Sequence, residues 1–187
     1  RANGLNRLLY RCPKCGAEHE TEGKGSTLTC LRCGKAWEMQ TDGSLKATDG
    51  ETEFSHIPDW YDWQQEAVRA EIEAGDYRFS DEVYVRTLPG ANRFYNHGKG
   101  TLEHTADGRF ILKCKAYGKD TEVEWSPVTL DGLHIEYNYK KVGDCVDLSV
   151  EDESYWLYPV TKKDALTKLS IATDIFHAKA VGQAWQK

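Results

Sequence analysis

The 187-residue sequence predicts an α+β fold, mainly β, from three observations. Two matching cysteine clips stand within the first 34 residues. About seven short runs with a period of two, each bounded by turn residues, fill positions 80 to 160. Two longer runs, one before those strands and one after them, repeat apolar residues at three and four, the period of a helix. The expected order is a metal-held ribbon, a connecting helix, and a seven-stranded β-sandwich or barrel closed by a C-terminal helix. The corresponding boundaries are a linker over 1–10, the ribbon over 11–45, a connector over 46–79 and the β domain over 80–187.

The clips are Cys12-Pro13-Lys14-Cys15-Gly16 and Cys30-Leu31-Arg32-Cys33-Gly34. Each places two thiols two residues apart, and the following glycine gives the backbone freedom for a turn that aims both sulfurs at one ion. Four thiolates close a tetrahedral zinc shell with no open position, so Cys12, Cys15, Cys30 and Cys33 are the expected ligands of one structural Zn2+. Fourteen residues lie between Cys15 and Cys30, a spacing that suits paired CxxC sites. Ala17 to Thr29 reads as strand, Gly-rich turn (Glu22-Gly23-Lys24-Gly25) and strand. Two local disulfides would require an oxidising compartment. His19 is an alternative fourth ligand, though four cysteines already suffice. A segment this short buries no core of its own, so the metal is expected to hold it folded.

Six tryptophans and a 40% apolar fraction argue against disorder. No apolar run reaches the eighteen or so residues of a membrane span, and no signal peptide is visible. Cysteine usage suggests a reducing cytosol, with Cys114 and Cys145 as free thiols. The chain opens at Arg1 and its single methionine is Met39, so it is expected to be a fragment of a longer protein. Residues 1–40 hold seven Lys/Arg against four Glu, a surplus of three positive charges, which leaves nine negative charges of the chain's net −6 for the remainder. A mildly basic ribbon is compatible with an anionic surface, but equally with ordinary solvated faces. The acidic body disfavours nucleic acid as a partner.

Along the chain, Lys35 to Met39 alternates as a half-buried strand, and Leu45 to Glu53 is polar and irregular. Pro58 opens a helix with acids in its first turn. Trp60, Trp63, Ala67, Ala70 and Ala74 form its expected packing face, and Gly75 ends it. The strands are expected over Glu82 to Leu88, Lys99 to Thr105, Arg109 to Cys114, Thr121 to Ser126, Leu133 to Tyr139, Asp144 to Val150 and Ser154 to Val160. Asp107-Gly108 marks a tight hairpin. Thr161 to Asp164 has the form of a helix cap. Leu166, Leu169, Thr173, Phe176 and Ala180 then line one face of a helix running to about Trp185. Seven antiparallel strands followed by one helix resemble the element order of pleckstrin-homology-like and GRAM-like domains. The resemblance implies two near-orthogonal sheets with the helix plugging an open end.

No Gly-rich phosphate loop, GxSxG elbow or HExxH stands in the sequence. His97, His104 and Asp107 are candidates for a cluster at one hairpin end. Asp59, Asp62 and Glu66 share a helix, as helix electrostatics favour. Cys114 and Cys145 read as small core residues on strands rather than nucleophiles.

The full pattern, CPKCG…CLRCG into KAWEM, then GETEFSHIPDWYDWQQEAVRAEIEAG, a β-rich domain and a closing helix, resembles a C-terminal extension. That extension follows the catalytic domain in some bacterial 1-acyl-sn-glycerol-3-phosphate (lysophospholipid) acyltransferase family proteins. The likeness covers the chain from about Arg11 and is most specific over Glu53 to Gly75. The catalytic His-x4-Asp motif of that family has no counterpart, so no catalytic residue carries over. The resemblance implies a non-catalytic accessory or regulatory module of a membrane-associated phospholipid-synthesis enzyme, cytoplasmic, at the cytosolic membrane face. Its own upstream acyltransferase domain would be the first partner, with the membrane surface or lipid headgroups as a further one. The alternatives are a free-standing adaptor for anionic lipid or protein, with Lys140-Lys141 and Lys162-Lys163 as its basic pairs, and a nucleic-acid-binding ribbon.

Overall fold

Alternating buried and exposed residues along short extended runs give two antiparallel sheets, of four and seven strands, in an α+β chain that is mainly β. The computed structural model describes residues 1–139 and 141–186, so Lys140 of the expected basic pair and the terminal Lys187 lie outside the described residues. Two units divide at Val68/Arg69.

In the first unit, α1 (Leu5–Leu8) leads to the sheet β1 (Thr21–Lys24), β2 (Thr27–Cys30), β3 (Ala36–Met39) and β4 (Leu45–Ala47), paired in that order. Two features differ from expectation. Residues 1–10 are not a bare linker: Ala2, Leu9 and Tyr10 are fully buried, and the Ala2 N–H donates to the Gly25 carbonyl. Leu45 to Glu53 is not irregular throughout, since β4 adds a fourth strand and the stretch after it is anchored. The Lys35 ammonium, almost wholly buried, donates at 2.7 Å to both the Asp49 and Glu51 carbonyls, while Glu53 accepts the Trp37 indole N–H at 2.9 Å. Polar composition hid this order because the partners are backbone carbonyls, which composition does not report.

The helix α2 (Ile57–Ala74) begins and ends where Pro58 and Gly75 predict. Its buried positions are Trp60, Gln64, Val68 and Ile72, a spacing of four, whereas Ala70 and Ala74 are exposed and Trp63 and Ala67 half-buried. The expected alanine face is thus displaced by one row. Gln64 is the reason, a polar residue that pattern reading places outside but that here satisfies buried backbone. Its side chain accepts the Arg11 N–H at 3.0 Å and donates to the Leu8 carbonyl at 2.9 Å; the Trp60 indole donates to the Arg11 carbonyl at 2.9 Å. Trp60 also meets Trp37 edge-on at 4.7 Å, in a core with Leu9, Cys12, Leu28, Cys30 and Leu45. Trp60→Ala is therefore expected to destabilise this unit by about 3–5 kcal/mol, through the cavity and the orphaned Arg11 carbonyl. Trp63→Ala, at a half-buried site, should cost clearly less. Urea midpoints of the two variants check the ranking, and equal costs would contradict it.

In the second unit every period-two run forms a strand: β5 (Phe79–Pro89), β6 (Tyr95–His104), β7 (Phe110–Ala116), β8 (Lys119–Trp125), β9 (His134–Tyr139), β10 (Gly143–Val150) and β11 (Glu153–Pro159). The order across the sheet is β8-β7-β6-β5-β11-β10-β9, so the first strand pairs with the last. The Trp125 indole on β8 donates to the Ser149 carbonyl on β10 at 2.9 Å. A flat sheet would hold strands five places apart at about 24 Å. The sheet is therefore strongly curled, and a bulge at Val85/Arg86 falls in its central pair.

The last helix, α3 (Leu166–Ala180), is buried on most of its circumference, including Leu166, Leu169, Thr173 and Phe176, while Ala180 is exposed. It stops short of Trp185, and the Thr161–Asp164 stretch does not cap it: Ala165 is the N-cap, with no side-chain bond. Thr161 instead gives its hydroxyl and N–H to Asp81, which also accepts the Lys162 N–H at 2.9 Å. A strand carboxylate 80 residues away out-competed the local cap. No helix among the described residues is long and apolar enough to cross a membrane.

Candidate metal centre

Each cysteine clip is a turn closed by the same two backbone bonds. Gly16 N–H donates to the Cys12 carbonyl and Gly34 N–H to the Cys30 carbonyl, both at 2.9 Å. Cys12 N–H donates to Ala17 and Cys30 N–H to Lys35, both at 2.8 Å. Gly16 and Gly34 sit at φ 74° and 73°, the left-handed region that favours glycine, with open space where a Cβ would go. Backbone conformation, not crowding, selects glycine there.

The two turns face each other. Cys12 Sγ lies 3.7 Å from Cys33 Sγ, and Cys15 Sγ 3.7 Å from Cys30 Sγ. All four sulfurs fall within 4.8 Å of one another. Thiolates at about 2.3 Å from a central ion in a tetrahedron stand about 3.8 Å apart, so the quartet fits one metal. A disulfide needs about 2.05 Å, and all six cysteines are free. Cys12, Cys15, Cys30 and Cys33 are thus positioned to bind a metal ion.

Burial pushes the Cys12 and Cys30 thiols up, against the pull of backbone N–H groups at Cys15 and Lys14 on the first and Cys33 and Arg32 on the second. Those N–H groups are the donors that would stabilise thiolates once a cation offsets their burial. At Cys33 burial also pushes up, but the Lys35 N–H and the neighbouring sulfurs outweigh it and leave the thiol below its ordinary value. Four sulfurs fill a tetrahedral shell, so a metal held here has no position for water or substrate.

His19, the alternative ligand, stacks on Tyr10 at 5.2 Å and is not part of the quartet. Among the described residues no other group of three or more His, Cys, Asp or Glu is arranged for a metal, so Asp59, Asp62 and Glu66 do not form one. His104 and Asp107 share the β6–β7 end. His97 lies seven residues back on β6, about 24 Å along a strand. There Thr87 links His97 Nε2 (2.8 Å) to the Tyr117 hydroxyl (2.7 Å), and that hydroxyl in turn donates to Glu153. The expected three-residue cluster therefore splits in two. Nothing in the spacing of His97 signals this network, because Thr87, Tyr117 and Glu153 come from three other elements. Cys114 is half-buried on β7 and Cys145 fully buried on β10; burial pushes both thiols up, Cys145 to about 12, the opposite of an activated nucleophile.

His104 is 1% exposed, stacked on Phe110 at 3.8 Å and bonded through Nδ1 to the Tyr77 hydroxyl at 2.8 Å. Burial pushes its imidazole down to about 3, against smaller opposing pulls from the Gly108 backbone and Asp107. The folded protein keeps the ring neutral where the unfolded chain, with a value near 6.5, takes up a proton. Stability is therefore fully present above about pH 6.5 and declines as pH falls towards 3. Denaturant midpoints of the wild type and His104→Phe should converge, or cross, between pH 7 and pH 4.5. A pH-independent difference would show that His104 is not the neutral buried group.

No protein-family model, curated protein or solved structure matches the chain.

Proposed function

We propose that this chain is a non-catalytic accessory module, a structural zinc ribbon joined to a pleckstrin-homology-like β domain. It acts by docking within a membrane-associated phospholipid-synthesis acyltransferase of the 1-acyl-sn-glycerol-3-phosphate type. The observation that carries a structural rather than catalytic metal is the closed quartet of Cys12, Cys15, Cys30 and Cys33, whose geometry suits one ion and leaves it no free position. Zinc is the ion that four thiolates in a tetrahedron favour without redox demands. The pleckstrin-homology-like reading rests on the curled seven-stranded sheet, its first strand paired to its last, and the buried C-terminal helix. Six free thiols fit a reducing compartment. The acyltransferase context rests on the sequence resemblance over Glu53 to Gly75.

The test has two parts. Metal analysis of the purified chain should return one zinc per chain. Removing this segment from the full-length acyltransferase should lower acyl transfer on membranes while sparing it in detergent, and the isolated chain should transfer no acyl group. Acyl transfer by the isolated chain would overturn the accessory reading. An upstream coding region without a His-x4-Asp motif would turn it to the free-standing adaptor.

A further inference from the structure

The β6–β7 turn, the start of β5 and the stretch after β11 line an open cleft of about 700 Å³ that the docking reading does not use. Arg78, Lys162, Ser80 and Glu103 line it, with His104 and the Asp107–Arg109 pair. Its cations, an exposed Arg78 and a half-buried Lys162, are tethered to backbone. Arg78 donates to the Gly75 carbonyl at 2.9 Å and to its neighbour Tyr77's carbonyl at 2.6 Å. Lys162 donates to the Ser80 carbonyl at 2.9 Å and lies 5.2 Å over the Phe79 ring. Its own backbone is pinned by Asp81, whose carboxyl is held below the ordinary value by the Thr161 hydroxyl and the Lys162 and Thr161 N–H groups, in spite of burial.

These anchors are neutral carbonyls, which leave both side chains charged, with the Glu103 carboxylate in the same lining. Among the described residues no carboxylate pairs with Arg78 or Lys162, whereas Asp107 is taken by Arg109 at 2.9 Å and by Thr105. A guanidinium has five N–H donors and an ammonium three, so most of the donors remain available. The buried His104 ring forms part of the same wall. Fixed cations with spare donors lose little side-chain entropy on binding an anion.

We propose that this cleft binds a phosphomonoester, with Arg78 and Lys162 holding the phosphate. Glu103, which has no partner among the described residues, accepts from a hydroxyl of the esterified group. The phosphate can come from a soluble ester or from a lipid headgroup, and the experiment separates the two. The intact chain is titrated calorimetrically with glucose 6-phosphate, with glucose, and with phosphatidylcholine vesicles containing or lacking phosphatidic acid. Saturable binding of glucose 6-phosphate but not glucose identifies a soluble ester; binding confined to phosphatidic acid vesicles identifies a headgroup. In either case Arg78→Ala and Lys162→Ala should each weaken binding by about tenfold, the loss of one charge-assisted contact. Lys163→Ala, an exposed neighbour outside the cleft, should leave binding unchanged. Circular dichroism of each variant verifies the fold. The proposal is overturned if neither probe binds saturably, or if the Lys163 variant loses as much as the other two.

Discussion

Cys12→Ser and Cys30→Ser are each expected to release the metal and unfold the ribbon unit. These two thiols are fully buried and sit one in each turn, so either change opens the tetrahedron and leaves a buried hydroxyl that is a poor ligand. Structural zinc contributes on the order of 10–16 kcal/mol in small ribbons near neutral pH, far more than a few short strands supply themselves. The same sulfurs pack with Trp37 and Trp60, so their loss reaches the unit's core. Metal analysis and near-ultraviolet circular dichroism check this: the variants should lack zinc and lose the tryptophan signal. A variant that keeps one zinc per chain and an unchanged melting curve would refute the assignment. Because thiolates, not thiols, bind metal, acid should strip the wild type, with protons replacing the ion as pH falls.

Gly108→Ala should be the most damaging small change in the sheet unit. Gly108 has φ 85°, and a Cβ there would lie 2.5 Å from Phe176 Cγ and 2.7 Å from its Cβ. Phe176 is 3% exposed and also meets Tyr77 and His104, so it has no open side to which it can retreat. Left-handed strain of about 1–2 kcal/mol and overpacking of about 1–3 kcal/mol act together. The expected loss is a substantial part of a domain's usual stability. Gly118→Ala provides the control, because its φ of 78° gives the same strain but nothing lies within 4 Å. The difference between the two in urea unfolding isolates the contact with α3; equal losses would show that the turn alone, not the helix packing, demands glycine.

Much of the metal site was legible because its signal is local. A CxxCG clip encodes its turn in five consecutive residues, and two clips at a suitable spacing imply the quartet before any long-range contact is considered. The seven strands were legible for a similar reason: a period of two, broken by residues such as Asp107-Gly108 and Pro89-Gly90, needs only nearest neighbours. What escaped depends on partners distant in sequence. Gln64 is buried because it reaches the backbone at Leu8 and Arg11. Lys35 is buried because Asp49, Glu51 and Glu53 surround it. In both cases a polar side chain satisfies backbone that no composition or period describes.

The sequence by itself determined the cysteine quartet, the two long helices and the succession of strands, since each follows from turn chemistry or periodicity within one segment. Only the tertiary structure decided which strands meet, how far the sheet curls, and where the polar side chains go. Strand order comes from β5 closing on β11, and Asp81 takes Thr161 from the helix cap across the chain. Those outcomes are set by burial and hydrogen-bond satisfaction summed over distant segments, a quantity that no single stretch of residues contains.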